Sequence, residues 1–254
     1  MKSVAGVIGL LLFLAGCAAP REAAGPTEAA RAVAKEAEKA GDFDMAATML
    51  GGLRVQDRAD RTTRLEEVRL LMLAGRLDEA EARLREILAL GPNPTAARQL
   101  ANLHLARGDA GQALQVVDAQ AYAADPLMLN TRGVAFDTLG RSSEAQQSYR
   151  TSLRLAPNDP TVTANLAVSL MLTGQTEEAL RIVATLDPGR VAEEHREWDV
   201  ALVQVAGGRR DMARLTLERA GHQDAVDADM IRLERIMALP ASQRRAALNL
   251  APQT

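Results

Sequence analysis

Six glycines punctuate this chain at nearly constant intervals, and that periodicity restricts its fold more than any other feature. Gly41, Gly75, Gly108, Gly140, Gly174 and Gly208 follow one another at steps of 34, 33, 32, 34 and 34 residues. Five residues after each stands an alanine: Ala46, Ala80, Ala113, Ala145, Ala179 and Ala213. A unit of this length is one supersecondary element that cannot bury its apolar face alone, so successive units must stack into one array. In the fourth unit Leu129, Gly133 and Phe136 recur at helical intervals on one face of a first helix. Gly140 then supplies the turn as a left-handed C-cap. Ser142 or Ser143 can cap the second helix, Ala145 admits close helix approach, Tyr149 packs back and Pro157 ends the unit. Asp125-Pro126 and Asp159-Pro160 place proline in a first turn and mark unit starts. The 32-residue step predicts a shortened second helix or loop near residues 120–125. In the third unit His104 stands where a large apolar residue is usual.

The signature residues Gly140, Ala145, Tyr149, Pro157, Gly174 and Ala179 resemble those of the tetratricopeptide repeat, and the likeness covers residues 27–225. It implies an all-α fold, a right-handed α-solenoid of about six repeats. Residues 226–254 then form a capping helix, Asp227–Ala238 closed by Leu239-Pro240, and a tail carrying Arg244 and Arg245. Composition agrees by exclusion. A chain of 254 residues, 47% hydrophobic and 25% charged, with net charge −3, is neither wholly disordered nor polytopic, and gives no reason to expect nucleic acid. The six aromatics (Phe13, Phe43, Tyr122, Phe136, Tyr149 and Trp198) are too few for stacked-aromatic RNA readers or most β-sandwiches.

Residues 1–16 read as a signal peptide: Lys2, then the apolar run Val4–Leu14, too short to span a bilayer. The run ends in Leu14-Ala15-Gly16-Cys17, which resembles a bacterial lipobox. The resemblance implies cleavage before Cys17, a diacylglycerol on its thiol and an acylated amine. Several acyl chains anchor stably where one is marginal. The alternative is an ordinary secretory signal cleaved nearby, for example after Ala19, leaving a soluble protein. Ala18 in the second mature position points, by the same resemblance, to the outer membrane. Residues 17–26 then hold the lipidated cysteine and a flexible tether, with nine residues reaching about 30 Å at about 3.3 Å each. The single cysteine allows no internal disulfide and no CxxC metal or redox site.

No catalytic residue is indicated. His104, His195 and His222 lie far apart without metal-ligand spacing, and no phosphate-binding or nucleophile-elbow motif is present. The paired carboxylates Glu66-Glu67, Asp78-Glu79, Glu177-Glu178 and Glu193-Glu194 point to different sides of a helix and read as solvated or capping residues. No metal or cofactor is implied beyond the covalent lipid on Cys17. The tetratricopeptide resemblance implies instead a concave groove lined by first-helix residues at set distances before each glycine. Carried over repeat by repeat, these include Leu65, Arg69, Met72, Leu73, Arg98, Asn102, Leu105, Asn130, Val134, Asp137, Asn165, Val168, Met171, Leu172, Trp198, Leu202 and Val205. Asn102, Asn130 and Asn165 could hydrogen-bond a partner's backbone, and Met171, Trp198 and Leu202 could hold an apolar side chain. The alternative is that these residues pack between repeats or against the cap.

The stretch from Leu129 to Arg141, with Glu144, Ala145, Gln146 and Tyr149, resembles the TadD-like outer-membrane lipoproteins of the tight-adherence (Flp) pilus system. Leu155–Pro160, Asn165-Leu166-Ala167 and Ser169-Leu170 continue it over 125–186. Repeat six departs from that family, reading Trp198-Asp199-Val200-Ala201-Leu202. The resemblance implies a non-catalytic assembly factor, lipid-anchored on the periplasmic face of the outer membrane, with the secretin or another pilus component as partner. The rival expectations are another envelope adaptor, such as a type IV pilus pilotin or a peptidoglycan-hydrolase scaffold, and an enzyme with a cryptic site.

Overall fold

A computed structural model describes residues 26–55, 60–118, 122–193, 196–221, 225–240, 243–244 and 247–248. The signal, Cys17, the tether as far as residue 25, Glu194, His195 and His222 lie outside the described residues. Within them the chain is all helix and turn. Six antiparallel pairs succeed one another: α1 (Pro26–Lys39) with α2 (Phe43–Val55), α3 (Arg61–Leu73) with α4 (Leu77–Ala89), and α5 (Pro94–Ala106) with α6 (Ala110–Val117). Then come α7 (Pro126–Thr138) with α8 (Ser142–Leu155), α9 (Pro160–Leu172) with α10 (Thr176–Val183), and α12 (Glu197–Ala206) with α13 (Arg210–Arg219). A short helix α11 (Pro188–Glu193) stands between the fifth and sixth pairs, and α14 (Val226–Ala238) closes the array. Each pair packs chiefly on its neighbours in sequence, so the fold is an α-solenoid.

The six periodic glycines all have φ between 73° and 82°. At Gly140 the turn is closed by Arg141 N–H donating to the Phe136 carbonyl (2.8 Å) and Gly140 N–H to that of Asp137 (2.9 Å), the paired bonds of a Schellman motif. The same pair of bonds recurs at the other five turns. A Cβ would strain this left-handed conformation. The tight turn brings the second helix back against the first, and the alanine five residues on sits at the closest approach. Ala46, Ala80, Ala113, Ala145, Ala179 and Ala213 are all 0% exposed.

Starts and stops follow local chemistry. Asp60, Asn93, Asp125 and Asp159 cap their helices, each side chain accepting from a backbone N–H at the third position beyond it. Such caps contribute about 1 kcal/mol apiece. Pro94, Pro126 and Pro160 occupy first turns, where a missing N–H costs nothing. The expected cap at the second helix of the fourth unit is absent. Ser142 is the first residue of α8 and its hydroxyl donates to Asp137 Oδ1 at 2.9 Å instead.

Two second helices are cut short. Helix α6 ends at Val117, in accord with the 32-residue step, and Tyr122 fills the space left. Its buried ring lies beyond the helix end and its hydroxyl accepts from Asn93 N–H at 3.3 Å. Helix α10 stops at Val183 although its repeat keeps the full 34 residues, and the remaining length forms α11. The break coincides with Asp187-Pro188-Gly189, where the aspartate accepts from Gly189 N–H (2.8 Å) and Arg190 N–H (3.1 Å). Arg190 in turn donates to the Asn158 carbonyl at 2.9 Å, tying α11 back to the end of the fourth repeat.

Gly133 shows how tightly a pair is fitted. A Cβ there would lie 2.3 Å from Tyr149 Cε1, so the tyrosine ring occupies the space a methyl would need. The equivalent pairs are Val68 with Leu84, Ala101 with Val117, Ala167 with Val183 and Ala201 with Leu217, all buried. Gly133→Ala is expected to cost about 1–3 kcal/mol by overpacking. Adding Tyr149→Val recreates the repeat-five pairing, so the double variant should be more stable than additivity predicts by about 1 kcal/mol or more. Urea denaturation of the four proteins of the cycle measures the coupling, and strict additivity would refute the contact.

Candidate partner-binding surface

The first-helix positions divide in the structure according to what they touch. Asn130 on α7 and Asn165 on α9 are half-buried and joined side chain to side chain, Asn165 Nδ2 donating to Asn130 Oδ1 at 3.0 Å. Asn102 on α5 is exposed and takes no part in that bond. These asparagines therefore form an inter-repeat stitch plus one free position. Met171 (3% exposed) and Leu202 (1%) are core residues, so the packing alternative holds for them and neither is presented to a partner. Trp198 on α12 is half-buried, with the Arg232 guanidinium of α14 over its ring at 5.0 Å from the centroid. The capping helix thus covers this indole by a cation–π contact. Leu73 is 51% exposed, while Leu65, Met72, Leu105, Val134, Val168, Leu172 and Val205 are partly exposed and remain available to line a groove.

The charged positions serve the array. Arg69 pairs with Glu38 of the preceding repeat at 2.8 Å. Asp137 accepts from three hydroxyls: Ser142 (2.9 Å), Ser169 (3.0 Å) and Tyr149 (3.2 Å). It thereby ties α7, α8 and α9 together at one carboxylate. Gln146 reinforces the joint by donating to Thr173 Oγ1 at 3.1 Å, and Ser152 donates to the Pro126 carbonyl at 2.7 Å. None of these polar core contacts was visible from repeat positions, because the residues at those positions differ from repeat to repeat.

Of the paired carboxylates, Glu66, Asp78, Glu79, Glu177 and Glu178 are exposed or partly exposed and Glu67 is not, while the side chains of Glu193 and Glu194 lie outside the described residues. Glu67 is only 4% exposed and belongs to a cluster with Arg54 Nε (3.4 Å) and Arg83 Nε (3.5 Å), where Arg54 and Arg83 also meet Glu86. Burial pushes its carboxyl above the ordinary glutamate range against the pull of Arg54 and Arg83. One of its oxygens has no hydrogen-bond partner. The cluster lies inside the α2, α3 and α4 packing rather than in a cleft, which makes it a joint. Among the described residues no group of three or more His, Cys, Asp and Glu side chains could hold a metal ion. Nor is any helix among them long and apolar enough to cross a membrane.

Known proteins agree with this architecture. The tetratricopeptide-repeat family matches residues 65–126 and 130–190, so this stretch of the solenoid consists of tetratricopeptide repeats, a fold that works as a scaffold for protein–protein interaction. A curated relative, cellulose synthase 1 operon protein C of Komagataeibacter xylinus, is 27% identical over 194 residues. That alignment takes in 74% of this chain, which spans only 13% of the length of the relative. A tetratricopeptide repeat protein from Parabacteroides merdae has the same fold, with TM-score 0.63 at 18% identity over 88% of this chain and 90% of that one. PilW, a widely conserved type IV pilus biogenesis factor, superposes with TM-score 0.57 at 16% identity over 77% of this chain and 94% of its own.

The Glu67 cluster has a pH signature. Because the folded carboxyl holds its proton to higher pH than the unfolded one, this group's contribution to stability falls as pH rises from the ordinary glutamate value to its raised one. Glu67→Gln abolishes that term. The stability of the variant relative to the parent should therefore increase from pH 4 towards neutrality and then level off. Urea midpoints of both proteins across this range check it, and a flat difference would show that Glu67 titrates like an exposed glutamate.

Proposed function

We propose that this chain is a non-catalytic, lipid-anchored assembly factor for the tight-adherence (Flp) pilus, acting on the periplasmic face of the outer membrane. The observation that carries the reading is the union in one sequence of a lipobox at Leu14–Cys17 with repeats four and five of TadD-like type at 125–186. The tetratricopeptide architecture supports a binding role. PilW shares the fold, and at 16% identity that likeness bears on architecture alone. In this reading lipid on Cys17 holds the solenoid at the membrane. The first-helix face around Asn102, Val134 and Val168 captures a segment of the secretin or of another pilus component. The groove, as distinct from the anchor, decides which protein is held.

Replacing Cys17 by Ala should move the protein from the outer-membrane to the soluble fraction and reduce secretin multimers and pilus export. Deletion of the gene should do so more severely. A photocrosslinker at Asn102 or Asn165 should capture a secretin or pilus protein. Normal secretin assembly and piliation in both strains would overturn the pilus reading. Capture of a peptidoglycan hydrolase would favour the adaptor alternative.

A further inference from the structure

We infer that the solenoid bends at its third repeat, which joins two separately packed bodies. The buried apolar residues fall into two clusters, one running from Ala34 to Leu103 and the other from Ala97 to Ile236, and among the described residues the partly buried Leu88 and Val116 are what packs against both. They meet at α5, whose two faces belong to different clusters: Ala96, Leu100 and Leu103 to the first, Ala97 and Ala101 to the second.

Two polar side chains mark the division. Four positions before the turn glycine, repeats two, four and five bury Leu71, Phe136 and Leu170, whereas repeat three buries His104 (6% exposed). The imidazole Nε2 faces Glu81 Oε1 of α4 at 4.0 Å, a carboxylate also engaged by Arg85 and Arg107. Beside it on α5 stand Leu100, which packs in the first cluster, and the small side chains of Ala97 and Ala101, which belong to the second, so no bulky buried apolar side chain of this helix spans the two. The second lies at the next joint. Eight positions before the glycine, Leu100, Leu166 and Val200 dock each repeat on its predecessor, but repeat four presents Arg132. Its Nε pairs with Asp118 Oδ1 at 2.9 Å, at the end of the short helix α6, and its guanidinium lies 5.2 Å from the Phe136 ring centroid. A half-exposed ion pair contributes little to holding two bodies in one geometry compared with a buried leucine.

Rotation here changes the spacing between Asn102 on one side and the Asn130–Asn165 pair on the other. That consequence rests on the groove reading above, whereas the bend itself does not. Pulsed electron–electron distance measurements on the full mature chain carrying Cys17→Ala test the bend alone. Spin labels at Thr48→Cys and Ser143→Cys span the third repeat, and labels at Ser143→Cys and Met212→Cys lie within the second body. The spanning pair should give a distance distribution at least about twice as wide as the internal pair. His104→Phe, which restores an aromatic like Phe136, should narrow the first distribution and leave the second unchanged. Arg132→Leu serves the same purpose should the phenylalanine variant not fold. Equal widths in the parent would overturn the bend, and a broad distribution untouched by both substitutions would place it away from repeat three.

Discussion

Everything in this array follows from how closely two helices can approach across a three-residue turn. The left-handed glycine closes both Schellman bonds at once, so the second helix leaves the turn at a set angle. Five residues later only a methyl group fits between the backbones, and the six alanines at that place have no exposed surface. In repeats four and five the remaining volume inside the pair is shared between two positions that trade against each other. Where the first helix carries glycine at 133, the second carries a tyrosine at 149, and where it carries Ala167 the partner shrinks to Val183. Close packing makes such exchanges nearly compulsory, since a Cβ added to one side has no room unless the other side gives way.

Between pairs the rule is different, because the docking residue eight positions before the glycine is not uniform. Leu100, Leu166 and Val200 dock by apolar burial, Glu67 docks among Arg54 and Arg83, and Arg132 docks on Asp118. A repeat whose docking residue is an acid cannot be exchanged with one whose residue is a leucine without burying a charge unpaired. The ionic joints thus give repeats two and four preferred neighbours, and at Glu67 the joint costs stability. Burial raises the Glu67 carboxyl rather than lowering it, which shows that desolvation outweighs the pull of its two arginines. The outermost helix carries Val33 at this docking position, exposed.

The helices, their order and their turns were legible because they depend on backbone-level requirements that few residues satisfy. Glycine at a positive φ, aspartate or asparagine before a first-turn proline, and alanine at a helix crossing each have a narrow set of solutions. The fragment α11 was legible in principle. Asp187-Pro188-Gly189 interrupts a second helix, but the constant 34-residue step concealed it, since the residues lost from α10 reappear as α11. Side chains that respond to neighbouring repeats could not be read in the same way. Glu67 looked like one of several solvated acidic pairs, and only its place between α2 and α4 buries it. Ser142 looked like a helix cap, and the carboxylate of Asp137 took its hydroxyl instead.

The candidate groove shows the same limit more sharply. In a stacked array the face of a first helix that looks into the groove adjoins the face that meets the neighbouring repeat, separated by about one residue's rotation of 100°. A modest difference in how two pairs are stacked then decides whether a residue meets solvent or core. Met171 and Leu202 fell on the core side. Asn130 and Asn165 fell on the boundary, where each half-satisfies the other before any partner arrives. Asp137, nominally a groove position, is fully occupied in holding three helices together. On the proposed groove a partner segment would therefore meet a surface whose polar groups are largely committed to the array. What remains for it is the partly exposed aliphatic row of Leu105, Val134, Val168 and Leu172, together with the free amide of Asn102. Recognition on the proposed surface would depend on the spacing of those residues, hence on how the repeats are stacked.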